Sequence, residues 1–177
     1  MVKKLLRFFA YFFFFVLALI YFAPKESIYY YLEQELKPLG VVISGETLED
    51  KGLGLNIQNA NIYVKSIESA KIANGDIMLL LFYNSIQAND IALSESVKSF
   101  LPLMIESVSL THNILTPQII MMKVQGEFGE ANGVINILER RVLIEVQPSE
   151  LMTREYQNAL SMLRKNEEGV LVYDQAF

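Results

Sequence analysis

The sequence predicts a mainly β protein of the α+β class, an antiparallel meander hung from one membrane-spanning helix. Three observations predict it. Residues 8–23, FFAYFFFFVLALIYFA, carry no charge. Beyond Gly40 the hydrophobic period falls to two and stays there for about a hundred residues. Helical periods flank that stretch, at 24–39 and 149–165.

The apolar run is the transmembrane anchor, 8–23, after a basic start, 1–7. As a helix it reaches about 24 Å, a little short of a hydrocarbon core of about 30 Å, and Leu5 and Leu6 can extend it. Lys3, Lys4 and Arg7 precede it and all 20 acidic residues follow it, so the positive-inside rule keeps the N-terminus cytoplasmic. A cleaved signal peptide, which would leave a soluble exported domain, is the competing reading. Cutting after Ala23 would put bulky Tyr21 where a small residue is required, and Pro24 follows, so an uncleaved anchor is preferred.

Composition narrows the remaining chain. It suits a single domain with its own core. Its excess of acid disfavours nucleic acid or anionic lipid headgroups as electrostatic partners of the whole surface. The absence of cysteine removes disulfides, thiol chemistry, cysteine metal sites and lipoprotein attachment.

Residues 24–39 form a juxtamembrane helix with Ile28, Tyr31, Leu32 and Leu36 on one face, stopped by Pro38 and Gly40. Tyr29, Tyr30 and Tyr31 fall where amphipathic rings favour a membrane interface, so the helix lies on the membrane or caps the following sheet; an ordinary first helix packed on the core is the competing reading. The β-rich domain, 40–177, then offers strands near 41–44, 53–64 with a break, 66–73, 77–83, 85–93, 103–110, 119–128, 133–138 and 141–147. Turn signals stand at Asn74-Gly75, Asn84-Ser85, 126–133 and Glu139-Arg140, and such short connections imply antiparallel neighbours. Residues 77–83 are apolar on both faces and read as the most enclosed strand.

A short pattern recurs: Ile57-Gln-Asn-Ala-Asn-Ile62, Ile67-Glu-Ser-Ala-Lys-Ile72, Ile86-Gln-Ala-Asn-Asp-Ile91 and Ile105-Glu-Ser-Val-Ser-Leu110. Positions five apart on a flat strand point to opposite faces, so both aliphatic ends share a core only if a bulge or bend intervenes. Chance recurrence in an isoleucine-rich β protein is the competing explanation.

Pro148 ends the sheet pattern, and Ser149 caps a helix over 149–165 with Met152, Tyr156, Ala159, Leu160 and Leu163 on one face. A last strand follows at 170–173. Chemistry is sparse. His112, the single histidine, lies in a Thr-His-Asn turn; with Asp90 or Glu106 it would make at best an isolated metal site. Gly52-Leu53-Gly54 lacks a dinucleotide loop's third glycine, and 126–133 reads as hairpin and bulge glycines. Glu49-Asp50 and Glu167-Glu168 read as solvated loop charges. No catalytic residue, cofactor site or metal site is assigned, and a non-enzymatic role is expected.

The anchor, the short helix, and strands written Gly54-Leu55-x-Ile57-x-Asn59-Ala60-x-Ile62 and Ile86-x-Ala88-x-Asp90-Ile91-x-Leu93 resemble the N-terminal part of AsmA-like envelope proteins. They also resemble the similar type II secretion system protein N. The likeness covers roughly 1–147, and the passage from 126–134 through Arg140-Arg141-Val142 to Pro148-Ser149 shares it. It implies a sheet anchored in a bacterial inner membrane, with the domain in the periplasm, curved so that its concave face is apolar. In lipid-handling members that face contacts acyl chains. This chain is much shorter than most of them, which implies an accessory or secretion-machine role over long-range lipid transport.

The first expectation is therefore a single-pass, non-enzymatic structural or assembly component of envelope machinery, presenting a sheet edge or apolar face to protein partners. The alternative is a lipid-binding module in which Ile57, Ile62, Ile72, Leu79, Ile86 and Ile91 line a groove for phospholipid acyl chains. An ordinary closed core is the competing reading of those six residues. A groove left open by residues 148–165 favours lipid; a helix plugging the apolar face favours assembly.

Overall fold

The computed structural model describes residues 2–97, 101–167 and 169–177; Glu168 of the predicted acidic pair lies outside them. Helix α1, Val2–Tyr21, spans 20 residues, about 30 Å, and is long and apolar enough to cross a membrane. It starts earlier than the uncharged run because lysine and arginine propagate a helix as well as leucine does.

Helix α2, Lys25–Leu36, ends in a 3₁₀ turn at Lys37–Leu39 closed by Gly40. Its sheet-facing stripe differs from the expected one. Lys25 and Tyr29 are buried while Ile28 and Tyr31 are exposed, because the helix lies flat on the sheet along Lys25, Tyr29, Leu32 and Leu36.

The domain is one open antiparallel sheet. Its strands are β1 (Val41–Ser44), β2 (Thr47–Asp50), β3 (Gly54–Val64), β4 (Ile67–Leu79), β5 (Tyr83–Leu93), β6 (Met104–Asn113), β7 (Ile119–Gly126), β8 (Gly129–Asn136), β9 (Arg141–Pro148), β10 (Arg164–Lys165) and β11 (Leu171–Ala176). They follow a meander, β1-β3-β4-β5-β6-β7-β8-β9-β11-β10, with β2 pairing beside β1 on β3.

Several boundaries moved. The expected turn at Asn74-Gly75 lies inside β4, where Asn74 pairs with Gln58 and Asn89 and Gly75 with Ile57 and Ala88. A ladder satisfying both backbone edges outweighs local turn propensity. Asn84-Ser85 likewise belongs to β5, and the chain turns at 80–82. Residues 77–83 are therefore not an enclosed strand: Leu81 and Phe82 stand exposed on a turn. His112 is in β6, opposite Asn84, and not in a turn. The region 126–133 contracts to a two-residue hairpin at Glu127 and Phe128, entered again through Gly129 at φ +113°.

The expected C-terminal helix over 149–165 is two short ones, α3 (Glu150–Glu155) and α4 (Gln157–Leu160), followed by β10. Ser149 does cap α3, its Oγ accepting from Met152 N–H at 3.2 Å. The break falls at Tyr156, whose non-helical backbone turns its ring onto the sheet beside Met152, Ala159 and Leu160.

Every copy of the repeated pattern contains an irregularity. Asn59 and Asp90 take left-handed φ of 57° and 55° inside β3 and β5. Ser69 and Glu106 are extra residues at register shifts of β4 on β3 and β6 on β7. Each bend restores the parity that a five-residue spacing loses. Asn59, Ala73, Asp90 and Glu106 are skipped in succession by the ladders, forming a crease across four strands.

The faces differ accordingly. One carries rows such as Leu55, Ile77, Ile86, Leu110, Met122 and Ile144; the other carries Gln58, Asn74, Asn89, Ser107, Gln125 and Glu130. The apolar face is covered at both flanks. Tyr29 of α2 packs on Leu55 and Ile77, and Met152 of α3 packs with Phe128 and Ala131.

Candidate functional site

Between these flanks the apolar face lies open. Helix α2 rests on β1–β3 and α3 on β9. A cavity of about 370 Å³ runs beneath the overhang of α2 onto β4, β5 and β6. Its roof is Tyr29, Leu32 and Leu36; its walls include Ile43, Ile57, Ile62, Ile72 and Ile86. Gly75 and Ala88, paired side by side, form a floor of small residues that deepens it.

Of the six residues expected to line a groove, Ile57, Ile62, Ile72 and Ile86 do so together. Ile57 and Ile62 share the cavity despite their odd spacing because the left-handed Asn59 lies between them. Ile91 pairs with Ile72 but is buried outside the cavity. Leu79 lies further along the same face, in two adjoining hollows. Sequence reasoning missed Leu110, Ala88, Gly75 and, on the α2 roof, Tyr29, while Leu32 and Leu36 were on the expected face. Leu110 was legible as the end of the fourth repeat copy; the small floor was hidden because Asn74-Gly75 imitates a turn.

The hollows share walls. Ile86 and Leu110 line both the large cavity and a smaller one of about 140 Å³, which also contains Leu79, Asn84 and His112. Leu79 and Asn84 in turn line a hollow of about 300 Å³ against Val16, Leu19, Ile20 and Ala23. A row of adjoining hollows thus runs from the side of α1 to the space under α2. Asn84 and His112, opposed across β5 and β6, place polar groups at its middle, and His112 Nε2 lies 3.0 Å from the Pro117 carbonyl oxygen.

The junction of α1 with the sheet is held by a buried charge. Lys25 Nζ donates to the Tyr21 and Ala23 carbonyls at 3.0 and 3.2 Å and pairs with Asp50 at 3.2 Å. A cation here meets the negative end of the α1 dipole. The Gly52 N–H and then Lys25 hold the Asp50 carboxyl below its ordinary value. Gly52, at φ +82°, leaves room for the Tyr21 ring. Burial, then the Glu46 carboxylate, raises the Tyr29 phenol, so that ring stays uncharged, while Glu33, which also lines the cavity, pairs with Lys37 at 3.1 Å.

Among the described residues no group of three or more histidine, cysteine or acidic side chains could hold a metal ion. No family model matches the chain, and neither a curated protein nor a solved structure shows significant similarity to it. The resemblance to AsmA-like proteins rests on the sequence pattern alone.

Proposed function

We propose that this chain is a membrane-anchored module that draws a phospholipid acyl chain out of the bilayer and holds it against the open apolar face. The observation that supports this reading is the row of adjoining hollows from α1 to the cavity under α2, lined by aliphatic side chains at both ends. Exposed aliphatic surface of this kind costs about 25 cal/mol per Å² in water, which an acyl chain would relieve. Asn84 and His112 would meet the ester oxygens of the lipid where the row is polar. In this reading the N-terminus is cytoplasmic, the sheet lies in the periplasm of a bacterial envelope, and no reaction is catalysed.

The assembly reading, in which a partner adds a strand, has less to use. β1 and β2 make a split edge of four residues each, and β10 is two residues long. Short, interrupted edges resist strand addition. An accessory role in secretion or envelope assembly stays compatible with acyl-chain binding.

The test is native mass spectrometry of the full chain purified from membranes, beside Ala88→Phe, whose ring would fill the floor. The reading expects a bound phospholipid that resists detergent exchange in the wild type and is lost in Ala88→Phe. A lipid-free, folded wild-type chain would contradict it.

A further inference from the structure

The turns at the two ends of the sheet differ in chemistry. The hairpin turns 65–66 and 127–128, at one end, read Lys-Ser and Glu-Phe, with Phe128 buried. The turns at the other end present Leu81, Phe82, Ile114, Leu115, Ile137 and Leu138, all exposed, with Leu115 at 87% and Leu138 at 80%. Two of these tips repeat one sequence, Asn113-Ile114-Leu115 and Asn136-Ile137-Leu138, and one geometry. Asn113 Oδ1 accepts from the Leu115 and Thr116 N–H groups at 2.8 and 3.2 Å. Asn136 Oδ1 accepts from the Leu138 and Glu139 N–H groups at 3.1 Å each. The tips are also tied to one another, Ile114 N–H donating to the Phe82 carbonyl at 3.1 Å and Ile137 N–H to the Gln118 carbonyl at 2.9 Å. Backbone donors satisfied in this way, beneath the most exposed leucines of the domain, suit a turn that leaves water.

The end carrying these tips is the one that meets the anchor. The 80–82 turn faces Val16, Leu19 and Ile20, and Val16 lies five residues, about 7.5 Å, before the end of α1. Where α1 spans a bilayer, the first tip therefore lies below the level at which α1 leaves it.

We propose that turns 80–82 and 114–118 and the tip 137–138 are immersed in the acyl region of the leaflet from which α1 emerges, so that the sheet stands on end in the membrane. Arg140, beside the last tip, has a stem long enough to reach the headgroups. The inference rests on α1 as an anchor and not on the acyl-chain reading of the cavity.

The chain has no tryptophan, so single tryptophans report depth without background. The full chain carrying Leu115→Trp or Leu138→Trp is reconstituted in phosphatidylcholine and phosphatidylglycerol vesicles, with and without brominated acyl chains. Phe14→Trp in α1 sets the immersed limit, and Ile67→Trp, at the opposite end, the aqueous one. The tips are expected to lose most of their emission to bromine, approaching Phe14→Trp, and to resist the aqueous quencher acrylamide. Ile67→Trp is expected to do the reverse. Leu115→Trp and Leu138→Trp behaving like Ile67→Trp would overturn immersion, and an unquenched Phe14→Trp would overturn it by removing the anchor. Both tip positions are exposed, so neither substitution disturbs the core.

Discussion

The flanks and the middle of the apolar face are made of the same residues but end differently. At one flank Leu55 and Ile77 are 1% and 7% exposed beneath Tyr29; in the middle Ile86, paired directly with Ile77, is 43% exposed. Adjacent strands thus present one aliphatic row that is core on β4 and open surface on the next strand. The cover decides this, since α2 reaches β3 and α3 reaches β9. A closed core needs its lid everywhere; this sheet has lids at its edges, with a gap whose floor is small.

The sharpest way to break that comparison is truncation on either side of it. Leu55→Ala should cost about 2–5 kcal/mol of stability, as expected for a fully buried leucine, and Met152→Ala a similar amount at the other flank. Ile86→Ala should cost less than about 1 kcal/mol in the lipid-free chain, because little packing is lost at a half-open position. Thermal melts of the three variants check this, and equal losses would mean that the middle is closed.

A smaller effect is expected at the junction. Lys25→Met removes the cation from two carbonyls and Asp50, and should open residues 22–25 to limited proteolysis in reconstituted membranes, whereas Lys25→Arg should protect them.

The pH dependence is smaller again. The Gly52 N–H and Lys25 hold Asp50 low, and bidentate hydrogen bonds from Arg141 hold Asp174 low. Both carboxylates are more acidic folded than unfolded, so their contribution is present above the unfolded value and drains as pH falls through the lowered ones. The melting temperature should be level from neutral pH to about 5 and fall below about 4, with Asp50→Asn and Asp174→Asn each removing part of the fall. The smallest change is Asn136→Ala, which frees two tip N–H groups and should cost about 0.5–1.5 kcal/mol in the same melts.

Much of this architecture was legible because it is written in local alternation. The long apolar helix, the meander and the bend inside each repeat follow from charge-free length, period two and an odd spacing. What was not legible depends on neighbours far along the chain. Asn74-Gly75 reads as a turn until two flanking strands occupy its hydrogen bonds. Residues 77–83 read as enclosed because their apolarity at Leu81 and Phe82 belongs to a tip beside α1. Tyr156 looks like one more residue of a helical stripe, and only the docking of its ring on the sheet explains the break. Of the cavity, the isoleucine walls could be read from the repeats, whereas the roof on α2 depended on which side of that helix met the sheet. The paired Asn-Ile-Leu tips were present as a short repeat but spaced like chance.

Photo-crosslinking tests the central claim most directly. The full chain, carrying a benzophenone amino acid in place of Ile86 on the apolar face or of Lys123 on the polar face, would be illuminated in membranes containing radiolabelled phospholipid. The account predicts an acyl-chain adduct from position 86 that is lost in the Ala88→Phe background, and none from position 123. Equal labelling at both positions, or labelling of 86 that survives Ala88→Phe, would contradict it.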